Sequence, residues 1–219
     1  RTLYLLHGLS DDHTIWLRRT SIERYAAERN LAVVMPAVGR SFYHNQVSGP
    51  RYWSFISEEL PQLMEHYFPL SKRREDRFAA GLSMGGYGAV RLGLCFPERY
   101  AAVVSLSGSL DMVRRAKEAG REGSVLSKVE LEAMFGPELS PEGTDADLFH
   151  LAEQVRARAD RPRLYMACGT EDFILRDSRK FHQHLEAIGY DHVYHESPGE
   201  HEWGFWDREI QPALDWMLA

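Results

Sequence analysis

The sequence predicts an α/β protein: a mostly parallel central sheet with helices on both faces. Three observations point there. Short apolar runs recur along the chain without polar alternation, as strands buried on both faces require. Segments with apolar residues at helical spacing separate those runs, the order expected of strands joined by crossover helices. With 219 residues, 44% hydrophobic and 26% charged, the chain can bury one core of this kind, and it is read as one domain over 1–219.

Each element carries its own signal. Thr2–Leu6 is an apolar run that ends at His7-Gly8, a strand. Ile15–Glu28 has helical spacing, and Leu31–Met35 is a strand stopped by Pro36, which lacks the amide a strand needs. Tyr52–Tyr67 reads as a helix. Arg77–Leu82 is a strand meeting a turn at Ser83, and Met84–Cys95 is a small-residue helix ended near Pro97. Ala101–Leu106, rich in Ala and Val, is the next strand, and Arg163–Cys168 another. Between them, Asp111–Arg161 holds Gly120, Gly123, Gly136-Pro137 and Pro141-Glu142-Gly143. Those turn signals predict an excursion of loops and short helices, with little room for a large lid. Ser178–Ile188 is a helix closed by Gly189, Val193–Glu196 a last short strand, and Trp206–Leu218 a last helix.

Composition excludes several functions. The net charge of −6 argues against a nucleic-acid binder, which needs a basic face for phosphates. Lys72-Arg73-Arg74 is followed at once by Glu75 and Asp76 and reads as a solvated loop. No apolar run approaches the length of a bilayer span, so no membrane partner is expected. Cys95 and Cys168 sit in apolar stretches and read as buried free thiols, which suits a reducing compartment and predicts a cytoplasmic location. His182 and His184 have the wrong spacing for a helical metal pair and no HExxH occurs, so neither a metal nor a cofactor is expected. Homo-oligomer formation is left open.

Gly81-Leu82-Ser83-Met84-Gly85 carries the chemistry. It matches the G-x-S-x-G elbow, in which a serine stands on a tight turn between a strand and a helix. Side chains two residues to either side of that serine would collide with each other and with neighbouring strands, and glycine removes both. The serine hydroxyl is then exposed above the sheet, with the Met84 amide pointing to the same space. A packing role for these glycines is the competing reading.

A serine on this turn marks the α/β-hydrolase fold, where an acid and then a histidine follow along the chain. Asp172, in Gly169-Thr170-Glu171-Asp172, falls in the loop after a strand, where ligands bind in open α/β sheets. Glu171 is its rival; the shorter Asp side chain suits a fixed hydrogen bond. His201, in Pro198-Gly199-Glu200-His201-Glu202-Trp203, lies in the turn before the last helix. Ser83, Asp172 and His201 are thus the predicted nucleophile, acid and base. The oxyanion of a tetrahedral intermediate needs two amide donors: Met84 is one, and Leu9, in His7-Gly8-Leu9-Ser10, is the other. His7 is read as a brace for that loop, with a catalytic role as the alternative. Phe42, Tyr43, Tyr52, Trp53, Trp203, Phe205 and Trp206 crowd the expected site, and Tyr43 and Trp203 are the predicted pocket residues.

Leu5-Leu6-His7-Gly8-Leu9-Ser10, Gly81-Leu82-Ser83-Met84-Gly85-Gly86-Tyr87-Gly88, Cys168-Gly169-Thr170-Glu171-Asp172-Phe173 and His201-Glu202-Trp203 resemble the esterase D-type family. That group includes S-formylglutathione hydrolases, tributyrin and acetyl esterases, feruloyl esterases and mycolyltransferases. Four motifs occur in the right order from Thr2 to about Leu218, with most likeness to short bacterial tributyrin-esterase-type members. The resemblance implies the same triad and oxyanion amides, and a serine carboxylesterase acting on small short-chain acyl esters. An S-formylglutathione thioesterase and an acyltransferase to a sugar or alcohol are the alternatives. It also implies a β-strand region before Thr2, which is expected to lie upstream of Arg1 together with any targeting signal.

Overall fold

A computed structural model describes residues 1–219. In chain order the elements are β1 (Thr2–Leu6), α1 (Ile15–Arg19), α2 (Ile22–Ala27), β2 (Ala32–Val34), α3 (Tyr52–Ser54), a π-helical segment Phe55–Glu59, α4 (Leu60–Tyr67), β3 (Arg77–Leu82) and α5 (Met84–Cys95). There follow β4 (Ala102–Leu106), α6 (Met112–Lys117), α7 (Lys128–Phe135), α8 (Leu148–Val155), β5 (Arg163–Gly169), α9 (Leu175–Ala187), β6 (Val193–Ser197) and α10 (Trp203–Leu218). All six strands form one sheet in the order β2-β1-β3-β4-β5-β6, every pair parallel.

Alternation along the strands sends side chains to two cores. Tyr4, Leu6, Ala79, Val103, Leu164 and Met166 face α5, α8 and α9. Leu3, Leu5, Phe78, Ala80, Val104 and Ala167 face α1, α2 and α10. Both faces being covered, β1, β3 and β4 are buried along their whole length, which is why their sequences read as unbroken apolar runs.

The predicted helix Ile15–Glu28 is two helices. Thr20 Oγ1 donates to Trp16 O at 2.6 Å and accepts from Ile22 N–H at 3.1 Å, and the extended backbone at Thr20 separates them. The helix predicted from Trp206 begins at Trp203. The excursion after β4 contains α6, α7 and α8, each short. No helix is long and apolar enough to cross a membrane.

The loop after β2 is locked from below. Phe42 and Tyr43 both have positive φ, 50° and 59°, a conformation that non-glycine residues hold only when their surroundings impose it. Both side chains are buried. Buried Arg91 of α5 supplies the constraint: Nη1 donates to Tyr43 O at 3.0 Å and to His44 Nδ1 at 3.1 Å, while Nε and Nη2 hold Asp145. Trp53 stacks on that guanidinium, with its ring centre 3.7 Å away. Burial, with Arg91 beside it, drives the His44 pKa well down, so the ring is neutral and its Nδ1 is free to accept.

Candidate active site

The carboxyl ends of the strands converge on a cleft of about 550 Å³. Gly8 and Leu9 reach it from β1, Leu82 and Ser83 from β3, Ser109 from β4, Phe173 and Ile174 from β5, and His201 and Trp203 from β6 and α10.

Ser83 sits between β3 and α5 at φ 52°, ψ −116°, a strained turn of the kind that persists where surrounding structure holds it. That structure is visible. Ser83 N–H donates to Leu106 O at 2.9 Å, and Ser83 O accepts from Tyr87 and Ser109 N–H at 3.2 and 3.1 Å. A Cβ at Gly81 would strike the backbone of Gly85, and one at Gly85 would strike Leu6 O and lie 2.7 Å from His7 O. The predicted reason for the two glycines is therefore the observed one, with β1 as the neighbouring strand.

His201 Nδ1 donates to the Asp172 carboxylate, 3.0 Å from Oδ1 and 2.9 Å from Oδ2. Asp172 is fully buried at its side chain. Its Oδ1 also accepts from Ile174 N–H at 2.9 Å. Burial pushes the carboxyl pKa up, but the bonds from His201 and Ile174, with the Ser107 hydroxyl beside them, outweigh it and hold Asp172 below the usual carboxylate range. Nδ1 being the donor, Nε2 is the nitrogen left to act as a base. The imidazole packs between Phe173, at 4.6 Å between ring centres, and Trp206, at 4.9 Å and nearly perpendicular. His201 and Ser83 line the same cleft without a hydrogen bond between them, a bond that commonly tightens only when substrate engages.

Glu171 has a different task from its neighbour. Its N–H donates to Gly199 O at 3.1 Å, and Gly199 N–H donates to its Oε2 at 2.7 Å. Thr170 N–H donates to Ser197 O at 3.0 Å. These bonds tie the loop of Asp172 to the loop of His201. The two backbones run so close that a Cβ on Gly169 would collide with Gly199 O. The bonds to Gly199 lower the Glu171 pKa.

Leu9 N–H has no acceptor within the chain, and Met84 N–H heads α5, where no preceding turn supplies one. Leu9 lines the cleft, and Met84 directly follows Ser83, which also lines it. The Gly8-Leu9 loop is fixed from three sides. Trp16 Nε1 donates to Leu6 O at 3.1 Å and Tyr43 OH to His7 O at 2.9 Å. His7 Nδ1 donates to Gly8 O at 2.7 Å, and Nε2 accepts from Val38 N–H at 3.1 Å. Burial lowers the His7 pKa, which keeps the ring in the neutral form those two bonds need. His7 is the expected brace.

One predicted pocket residue is misplaced. Tyr43 does not line the cleft: its side chain is completely buried beneath it and its hydroxyl is spent on His7 O. Tyr43 stands at positive φ with its ring buried against His7, and sequence offers no sign of that. Trp203 does line the cleft, packed edge-on against Trp16 and Trp206. Ser107 was missed. Buried, at φ 48°, it accepts from Trp206 Nε1 at 3.1 Å beside the Asp172 carboxylate. Its only sequence signal is a serine-rich stretch at the carboxyl end of a strand.

Fold and site together define a serine hydrolase of the α/β-hydrolase class. The Esterase family model matches residues 1–217, and the chain belongs to that family. It is 33% identical over 220 residues to an acetyl esterase of Caldicellulosiruptor saccharolyticus, covering 99% of this chain and 83% of that one. Among solved structures it resembles FphF, a fluorophosphonate-binding serine hydrolase of Staphylococcus aureus, with TM-score 0.90 and 38% identity over 100% of this chain and 83% of that one. It also resembles the S-formylglutathione hydrolase FrmB of Staphylococcus aureus, with TM-score 0.85 and 38% identity over 100% and 84%.

Proposed function

We propose that the chain is a carboxylesterase that hydrolyses small, short-chain acyl esters through an acyl-enzyme on Ser83. The observation that carries this reading is the Asp172–His201 pair, held at 2.9–3.0 Å over the cleft that Ser83 also lines. His201 Nε2 takes the Ser83 proton as the hydroxyl attacks the ester carbonyl. Asp172 keeps the proton on Nδ1 and stabilises the imidazolium that forms. Charge builds on the carbonyl oxygen, and the amides of Leu9 and Met84 receive it; a donor of this kind is worth about 2.7–4 kcal/mol. His201 returns the proton to the leaving alcohol, and water repeats the sequence on the acyl-enzyme.

Acetyl esterase kinship and the modest cleft favour a short acyl chain. Two free thiols suit the reducing cytoplasm as the place of reaction. A second reading, a thioesterase acting on S-formylglutathione, draws support from likeness to hydrolases of that name. The same triad would serve it, as it would an acyl transfer to an alcohol. A fluorophosphonate probe should label Ser83 and fail on Ser83→Ala, and p-nitrophenyl acetate and butyrate should be turned over. A folded protein that takes no label overturns the proposal. Turnover of S-formylglutathione far above both esters would select the thioesterase, and an acyl-alcohol product with added acceptors the transferase.

A further inference from the structure

Arg115, on α6, lines the catalytic cleft. Only 12% of its side chain is exposed, yet it donates no hydrogen bond to any protein atom, and its buried Nε has no partner. Buried arginine is ordinarily paired, because desolvating a cation without compensation is costly. The nearest carboxylate is Asp177, 3.6 Å from Arg115 Nη2. Asp177 is already taken by Arg114 Nη2, at 2.7 and 3.0 Å to its two oxygens, so Arg115 shares it only as a looser ion pair without a hydrogen bond, and its other near neighbour, the Phe42 ring 5.9 Å away, offers no acceptor. A second polar group in the same cleft is also unspent: Ser109 Oγ is buried and unpartnered. The polar groups of His201, Asp172 and Trp206 Nε1, by contrast, each have an assigned partner.

We propose that Arg115, with Ser109 beside the cleft floor, forms a subsite for a carboxylate carried by the substrate, so that the preferred esters are anionic. The proposal rests on the esterase reading above and narrows its substrate class. Arg115 presents a planar fork of donors that matches a carboxylate in two-point geometry, from a site where burial strengthens the pairing. Burial lowers the Arg115 pKa from the usual arginine value, consistent with a cation short of compensation, and a bound carboxylate supplies it. Arg19, the other cation of the cleft, is solvent-exposed and needs no such partner. The carboxylate can belong to the acyl chain or to the leaving group; the chemistry recognised is the same.

Two matched ester pairs distinguish these. Mono-p-nitrophenyl succinate against p-nitrophenyl butyrate places the charge on the acyl side. 3-Acetoxybenzoate against phenyl acetate places it on the leaving group. For each pair the charged-to-neutral ratio of kcat/KM is measured in the wild-type protein, Arg115→Gln and Arg115→Lys. Arg115→Gln should lower one of the two ratios by about 10- to 100-fold, the worth of a charge-assisted hydrogen bond in kcat/KM. Most of the change should lie in KM. Arg115→Lys, which keeps the charge opposite Asp177 but not the fork, should fall between. If neither ratio moves more than about twofold in either variant while fluorophosphonate still labels Ser83, the subsite is refuted and the esterase reading stands. If the wild-type protein takes no label, both fall. Should Arg115→Gln not fold, the Arg115→Lys ratio decides.

Discussion

Replacing Asp172 with Asn tests the catalytic argument at its most exposed point. Ile174 N–H is fixed by the backbone and needs an acceptor 2.9 Å away at Oδ1, so the Asn carbonyl keeps that place. The amide nitrogen then takes the place of Oδ2, 2.9 Å from His201 Nδ1. The Nδ1–H keeps the carbonyl at 3.0 Å but now also meets the amide donor, so the tautomer with its proton on Nε2, whose Nδ1 accepts from that amide, is favoured, and it has no lone pair to offer Ser83. Two losses add. Removing a unit charge about 4 Å from the imidazolium costs about 4 kcal/mol at an effective dielectric of about 20. Disfavouring the reactive tautomer about tenfold costs about 1.4 kcal/mol more. Together they predict a fall in kcat of about 10⁴-fold, the size the same replacement produces in a serine protease triad. The assay is steady-state hydrolysis of p-nitrophenyl acetate, with active sites counted by probe labelling and folding checked by the thermal midpoint. A loss under tenfold in a folded protein would refute the reasoning. So would an equal loss in Glu171→Gln, since Glu171 is assigned to holding Gly199 and not to the imidazole.

Three further outcomes are expected. Gly85→Ala puts a methyl group against Leu6 O and His7 O, backbone atoms that cannot yield; overpacking of this kind costs about 1–3 kcal/mol, a drop of roughly 3–10 °C in Tm, and probe labelling of Ser83 should slow. Tyr43→Phe leaves buried His7 O without its donor, which costs about 1–3 kcal/mol, and kcat should fall more than KM changes because the Leu9 amide loses its support. Glu196 is held at a pKa of about 2 by paired bonds from Arg179, with a further bond from Tyr194. Since this folded value lies below the usual 4.5, its stabilisation is complete above about pH 4.5 and is lost as the pH falls toward 2. Arg179 is half exposed, so the contribution is about 1 kcal/mol or less. Urea midpoints should show Glu196→Gln less stable than the wild-type protein at pH 7 and indistinguishable from it near pH 2.

The buried network under the cleft explains why so much of the site rests on residues far from the chemistry. Arg91 fixes Tyr43, Tyr43 fixes His7 O, and the His7 ring fixes Gly8 O. The free Leu9 amide is thus the end of a chain of hydrogen bonds that begins on the helix following Ser83. Ser83 and the proposed oxyanion donor Leu9 therefore share one rigid support, and a preorganised donor costs no reorganisation when charge develops.

Sequence by itself determined the strands β1 and β3 and helix α5 to the residue, because each is delimited by a strong local signal: an unbroken apolar run, the elbow glycines, a following proline. It also singled out Ser83, Asp172 and His201, with Glu171 as rival to Asp172, from their places at strand ends and their order along the chain. What only the tertiary structure decided are matters of approach between distant segments. The division of labour between Glu171 and Asp172 depends on Gly199 lying against Gly169, thirty residues away in sequence. The inward turn of Tyr43 depends on Arg91, and the support of Asp172 by Ser107 depends on Trp206. A local pattern records which face of a strand or helix a residue occupies; it holds no record of which partner, across the fold, will accept or deny a hydrogen bond. For the same reason nothing in the residues around Arg115 announced that it would line the catalytic cleft with its buried Nε unpartnered.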